Sequence, residues 1–372
     1  AGGAPAVAAP GGVWSPGRRL LSAGLVLAIT LVAFEALAIA TVMPVVGRHL
    51  GDLALYGWVF SAFSLASLIG IVVAGSLADT VPLWRPMLGG LVLFAAGLVI
   101  GGTAPSMPVL VAGRVVQGLG AGVVPAVAYV AISRAYPGAI RPRMFAVLST
   151  AWVVPGLIGP AVAAAVADAA GWRWVFLGLL PLVAAAGVLS SLALRTLPPP
   201  AAAIARRVPI VPVAGVVAGA GLALAALDAG SAVLTAPGIL AGLAVLAGSL
   251  RRLTPPGTLR ARRGLPATIL SRGLLTFFFY AGDAYVPYAV TTVRHQPTVV
   301  AGVVLTVGTI TWTAGSWLQA RTIHRVGPRR LIRAGELLAL SALVAMGFVI
   351  LPGVPVALAV AAWGWGGLGM GM

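Results

Sequence analysis

Apolar runs long enough to cross a bilayer alternate with short polar stretches along almost the whole chain. A helix needs about 20 predominantly apolar residues to span the hydrocarbon. Twelve segments qualify, at roughly 20–46, 56–78, 87–104, 108–132, 144–167, 174–194, 209–227, 233–250, 269–292, 299–319, 331–351 and 354–372. The arginines fall almost entirely between these runs. With the N-terminus placed inside, twenty lie on the inner side, in groups such as Arg18-Arg19, Arg251-Arg252, Arg260 to Arg263 and Arg329-Arg330. Three, Arg48, Arg173 and Arg294, lie outside. Arginine bias towards one side sets orientation, so the pattern predicts a cytoplasmic N-terminus. It also supports the count, because one missed span would scramble the asymmetry downstream.

Composition agrees: 60% of residues are hydrophobic and 8% charged, against about 25% charged in a soluble domain, and the mean hydropathy is +1.06. The expectation is an all-α polytopic membrane protein. The net charge of +17 belongs to orienting loops rather than to a nucleic-acid surface. There is no cysteine and no lysine. Disulfide and thiol chemistry are excluded, and a lysine-bearing phosphate loop is absent, which argues against an ATP-driven pump. His49, His295 and His324 sit at helix ends or in loops without ligand spacing, and no Ser/His/Asp arrangement suggests hydrolysis. No enzyme activity, metal or cofactor is expected, and no nucleic-acid partner.

The runs group into units. Residues 1–17 are rich in Gly, Ala and Pro and are expected to be a disordered tail. Residues 18–196 hold a six-helix bundle. Residues 197–266 hold two linkers, with Pro198-Pro199-Pro200 in the first, flanking a helix pair that is apolar apart from Asp228. That pair reads as an inserted, lipid-facing hairpin. Residues 267–372 begin a second bundle of the same kind. Gly75-Ser76-Leu77-Ala78-Asp79 and Gly315-Ser316-Trp317-Leu318-Gln319 each close a span before an arginine-bearing loop, and two copied halves around a central site are a common transporter plan. Four helices of the second bundle are present, and the apolar run to Met372 leads us to expect that two are missing.

The fourth span carries Leu110 to Gly122, LVAGRVVQGLGAG. A charge at the depth of Arg114 costs at least a few kcal/mol, so it is expected to face a bundle interior. Gln117 stands beside it, and Gly113, Gly118, Gly120 and Gly122 supply a smooth face for a close neighbour. Of the seven acids, Glu35 lies mid-way along the first span and Asp283 mid-way along the ninth. Burial and a nearby cation act in opposite directions on a carboxylate's proton affinity, so either residue is a candidate proton carrier or partner for a cationic substrate. Arg114 is the nearest counter-charge for Glu35 if spans one and four face each other. Asp79, with Gly75 before it and Arg85 in the next loop, is a candidate latch between helices. Asp52, Asp168 and Asp228 fall at outer ends, and Glu336 lies three positions from Arg333. Pro155, Gly156, Gly159 and Pro160 predict a bent fifth span with a close-packed face. Phe278, Tyr280, Tyr285 and Tyr288, with Phe277 and Phe279, crowd around Asp283 and could line a cavity that attracts a cation to ring faces.

Together these residues resemble the major facilitator superfamily, and within it the fourteen-helix drug:proton antiporters. Leu110, Arg114, Gln117, Gly118, Gly120 and Ala121 match the superfamily's helix-four motif. Gly75, Leu77, Ala78 and Asp79 match the start of its loop motif, where Thr80, Pro82 and Leu83 then replace Arg, Gly and Arg. Gly159-Pro160 match the heart of the antiporter motif, with Ala163 and Ala164 in place of its final glycines. Glu35 stands nine residues before Pro44, as the family's helix-one acid does before its proline. Gly171-Trp172-Arg173-Trp174-Val175-Phe176 is also familiar, and the inserted pair matches the six-plus-two layout. The resemblance implies alternating access between two bundles, with protonation of Glu35 coupled to substrate release and Arg114 setting how tightly the proton is held. It implies a monomeric, multi-pass exporter of small amphipathic or cationic compounds in a bacterial inner membrane, with protons and membrane lipid as its other partners. A lipid or glycolipid exporter, a solute:proton symporter, and a non-transporting sensor or structural subunit are the alternatives.

Overall fold

The computed structural model describes residues 12–52, 55–198, 209–228 and 232–372. The first bundle is built from α1 (Arg19–Leu50), α2 (Tyr56–Ala78), α3 (Trp84–Gly102), α4 (Met107–Ala135), α5 (Arg141–Thr150), α6 (Val153–Ala170), α7 (Arg173–Leu177) and α8 (Leu180–Arg195). The inserted pair is α9 (Ile210–Asp228) and α10 (Ala232–Leu253), and α11 (Leu265–Tyr288), α12 (Thr298–Val326), α13 (Pro328–Val349) and α14 (Ala357–Gly371) follow. Among the described residues, ten helical stretches are long and apolar enough to cross a membrane. The fifth and sixth spans are each broken in two. Pro155 and Pro181 have no N–H to donate to the carbonyls of Ala151 and Leu177, and the helices part at those turns.

Glycine sets how closely these helices lie. On α4, Gly118 and Gly122 face α2, where an added Cβ would run into the carbonyls of Phe63 and Ser67. Gly113 and Gly120 face α3, where a Cβ on Gly113 would stand 3.0 Å from the Gly101 nitrogen. The single smooth face expected from the sequence is therefore two, one for each neighbour. The second bundle repeats this packing. Gly315 lies against Leu368 and Gly371 as Gly70 lies against Leu119 and Gly122, and Gly369 meets Gly335 as Gly120 meets Gly90. So α12, α13 and α14 correspond to α2, α3 and α4. The register differs from the one read in the sequence: Gly70 is the counterpart of Gly315, while Gly75 faces open space.

Each bundle has its own apolar core, one spanning α1 to α8 and one α11 to α14, and Trp317 of α12 also packs on the first. The inserted helices touch each other closely at Gly219 and Gly242, and Gly221 of α9 lies over Leu65 of α2. They leave Val211, Leu227 and Leu240 exposed. Residues 12–17, placed in a disordered tail by composition, are instead turned under the bundle. The Ser22 hydroxyl donates to the Val13 carbonyl (2.6 Å), and Ser22 also shares a 2.7 Å hydrogen bond with the buried Tyr136.

Candidate functional site

The site forms where α1, α2 and α4 converge. Glu35 and Arg114 are both buried, at 0% and 2% exposure, so neither charge is left to solvent. Arg114 Nη1 is ion-paired to Glu35 Oε1 and also donates to Gln117 Oε1 at 2.7 Å. Arg114 Nε donates to the Val59 carbonyl of α2 at 3.1 Å, and the guanidinium lies 4.1 Å from the Phe63 ring centroid. The close approach of α4 to α2 at Gly118 places this cluster, since Phe63 both contacts that glycine and roofs the arginine.

The acid is only half satisfied. Glu35 Oε2 and Gln117 Nε2 are buried without a hydrogen-bond partner. A free carboxylate oxygen beside an engaged one is a place for a proton. Neutralising Glu35 would leave Arg114 with Val59, Gln117 and Phe63, so the arginine need not leave the site when the acid changes charge. A buried ion pair is stable only when its remaining polar atoms are also met, and here one side is met and the other is not.

The other sequence candidates fall elsewhere. Asp79 pairs with Arg134 at the end of α4 (3.4 Å), which also donates to the Ala78 carbonyl at 2.8 Å. Arg85, the expected partner, instead lies 5.5 Å from the Trp84 ring centroid, because the residues after Asp79 carry it onto the first turn of α3. Gly159 packs over Phe34 and Leu37 of α1, and Gly156 faces Thr309 of α12; Pro160 is half-buried within α6, between the buried Gly159 and the exposed Ala161. Asp283 and Tyr288 lie on α11, but their side chains are outside the described residues. Phe278 and Tyr285 are exposed, and the aromatic cluster that forms is Phe279, Tyr280, Trp312 and Trp363. The sequence reading missed Trp312 and Trp363 because they come from later helices. Glu336 accepts a hydrogen bond from Ser271 of α11 and has no ion pair with Arg333.

Two further features were not foreseen. In the repeat, Trp363 of α14 occupies the place that Arg114 holds on α4, and it stacks on Phe279 of α11 at 5.1 Å and 19°. An ion pair in one half thus corresponds to a ring stack in the other. The halves also meet through hydroxyls. Ser149 donates to Ser316 at 3.0 Å, Thr313 donates to the Ser149 carbonyl at 3.3 Å, and the Trp317 indole donates to Thr150 at 3.0 Å. Ser149 and Thr150 close α5 at the end away from Arg141 and Arg143, and Thr313, Ser316 and Trp317 lie along the middle of α12, before Arg321 and Arg325.

Comparison with known proteins places this arrangement. The family model described as Major Facilitator Superfamily matches residues 25–372. The multidrug transporter protein MdtP of Bacillus subtilis (strain 168) is 30% identical over 165 residues, 44% of this chain and 30% of that protein. Multidrug resistance protein 3 of the same organism is 29% identical over 159 residues, 43% of this chain and 31% of that protein. These matches span less than a third of the relatives' own length. Among solved structures, the proton:xylose symporter XylE bound to 6-bromo-6-deoxy-D-glucose shares the fold, with a TM-score of 0.63 at 15% identity over 95% of this chain and 79% of that one. With the helix-four pair, the repeated glycine packing and a family match over nearly the whole sequence in hand, this multi-pass membrane chain belongs to the Major Facilitator Superfamily.

Proposed function

We propose that the chain is part of a proton-coupled secondary transporter that exports amphipathic or cationic compounds by alternating access across a bacterial inner membrane, as a monomer with its N-terminus in the cytoplasm. The observation that carries this reading is the buried Glu35–Arg114 pair with Glu35 Oε2 unpartnered. A proton arriving at that oxygen removes the charge on Glu35, weakens its hold on α4, and so links protonation to the packing of α1 against the rest of the bundle. The hydroxyl contacts between α5 and α12 would hold the two halves together in one state of the cycle. The multidrug names of the relatives motivate the substrate class. Asp283 would serve as a second protonatable group in the other half.

The test is efflux of a fluorescent lipophilic cation from vesicles under an imposed pH gradient. Glu35→Gln keeps the shape and removes the exchangeable proton, so gradient-driven efflux is expected to fall at least about tenfold, the size of a lost general acid–base contribution being larger still. Equal efflux by the variant overturns proton coupling at this residue. Gradient-driven movement of a sugar or a lipid, with no movement of the cation, would replace the substrate class and leave the coupling.

A further inference from the structure

A groove runs along the outer side of the first bundle between α3 and α8, away from the Glu35–Arg114 pair. It encloses about 520 Å³ and its walls are apolar: Leu88, Val92 and Ala95 from α3, Ala184 and Val188 from α8. Leu88, Val92 and Val188 remain exposed, so no protein segment among the described residues covers it. The lining on α8 runs from Leu180 to Arg195, about 22 Å at the rise of an α-helix. That is more than one leaflet of a hydrocarbon core about 30 Å thick, and an acyl chain lying along it would be sheathed over its length.

One end of the groove is cationic. Arg195 closes it, with its guanidinium 4.6 Å from the Trp84 ring centroid, and Arg85 approaches the same ring at 5.5 Å. Among the described residues, neither arginine has a carboxylate within ion-pairing distance. Two guanidiniums without a carboxylate partner thus lie against one indole, where α3 begins and α8 ends. A single polar group interrupts the apolar wall near this end. Ser191 lines the groove, is 7% exposed, and its hydroxyl is buried with no partner.

We propose that this groove is a binding site for an anionic phospholipid, with one acyl chain along α3 and α8 and the phosphate held by Arg195 and Arg85 over Trp84. Basic pockets between transmembrane helices suit anionic headgroups, and tryptophan is at home at that level of the membrane. The apolar length selects a lipid and the paired arginines select its charge. A bound lipid would fasten α8 to α3 and steady the bundle that carries Glu35.

Native mass spectrometry of the protein titrated with dioleoyl phosphatidylglycerol or dioleoyl phosphatidylcholine tests this. Wild type is expected to retain phosphatidylglycerol in preference to phosphatidylcholine. Arg195→Gln should weaken phosphatidylglycerol about fivefold, and the Arg85→Gln, Arg195→Gln double variant by more than tenfold, with phosphatidylcholine unchanged. Gly187→Leu, which fills the groove beside Leu91 and leaves the charges in place, should weaken both lipids. Far-UV circular dichroism confirms that each variant is folded before it is titrated. The proposal fails if wild type shows no preference for phosphatidylglycerol or if the double variant keeps its affinity within twofold. It fails equally if Gly187→Leu binds as wild type does, because the arginines would then act only as surface charge. Glycerol 3-phosphate competing as well as the lipid would also overturn it, since the groove would then contribute nothing.

Discussion

Arg114 holds more than its carboxylate, and that asymmetry decides what substitutions at the pair should do. Arg114→Leu leaves Glu35 buried with no cation, and breaking a buried pair by removing one partner costs about 3–5 kcal/mol. Glu35→Gln leaves Arg114 with Val59, Gln117 and Phe63 and a neutral acceptor in place of the acid. The arginine variant should therefore unfold at a clearly lower temperature in detergent than the glutamine variant, and adding Glu35→Gln to Arg114→Leu should recover part of the loss. A double variant no more stable than Arg114→Leu alone would show that the two side chains are not energetically coupled. At this scale the sequence was informative about identity and silent about geometry. A lone arginine and a lone glutamate in apolar runs announce that each needs a partner. That Arg134 rather than Arg85 meets Asp79 follows from where α4 ends, a place the loop spacing alone does not give.

Among the elements, α4 is the one on which the bundle closes, and its glycines can be ranked. Gly122 abuts the Ser67 carbonyl of α2, whereas Gly75 faces open space. Gly122→Val should push the helices apart, at a cost of about 1–3 kcal/mol, while Gly75→Ala should stay within about 0.5 kcal/mol of wild type, as surface changes usually do. Thermal unfolding of the two variants side by side checks the ranking, and a Gly75→Ala loss as large as that of Gly122→Val would refute it. The end of α4 gives a pH-dependent expectation. Burial pushes the Tyr136 phenol above its ordinary value, against the opposing pull of the Ser22 hydrogen bond and the Arg18 charge. A raised folded-state value stabilises the protein fully below the unfolded value, about 10, and that contribution is lost as pH climbs through the folded value. Unfolding temperature should therefore fall above about pH 10, and less steeply in Tyr136→Phe; equal slopes would mean that the buried phenol contributes nothing to alkaline sensitivity.

For the whole molecule, the question is whether the contact between α5 and α12 must open during transport. Ser149 and Ser316 touch across the halves at 3.0 Å, and the chain has no cysteine of its own. Ser149→Cys with Ser316→Cys should therefore form a disulfide under mild oxidation, visible as a shift in gel mobility after cleavage between the halves. Efflux should stop on oxidation and return with reductant; unimpaired efflux by the oxidised protein would mean that α5 and α12 need not separate here during transport. The sequence by itself determined the membrane and the helical spans. Run length and arginine placement are local properties, and a bilayer reads them one segment at a time. It also marked Glu35, Arg114 and Gln117, because a polar group in hydrocarbon is conspicuous wherever it stands. Only the tertiary structure decided that α4 has two glycine faces, that Gly70 rather than Gly75 matches Gly315, that Trp363 and Phe279 stand where the other half keeps an ion pair, and that Arg85 and Arg195 share Trp84 at the end of an open groove. Each of these depends on which turn of one helix meets which turn of another. That register is set by the sum of many close contacts between distant residues, and no single stretch of sequence contains it.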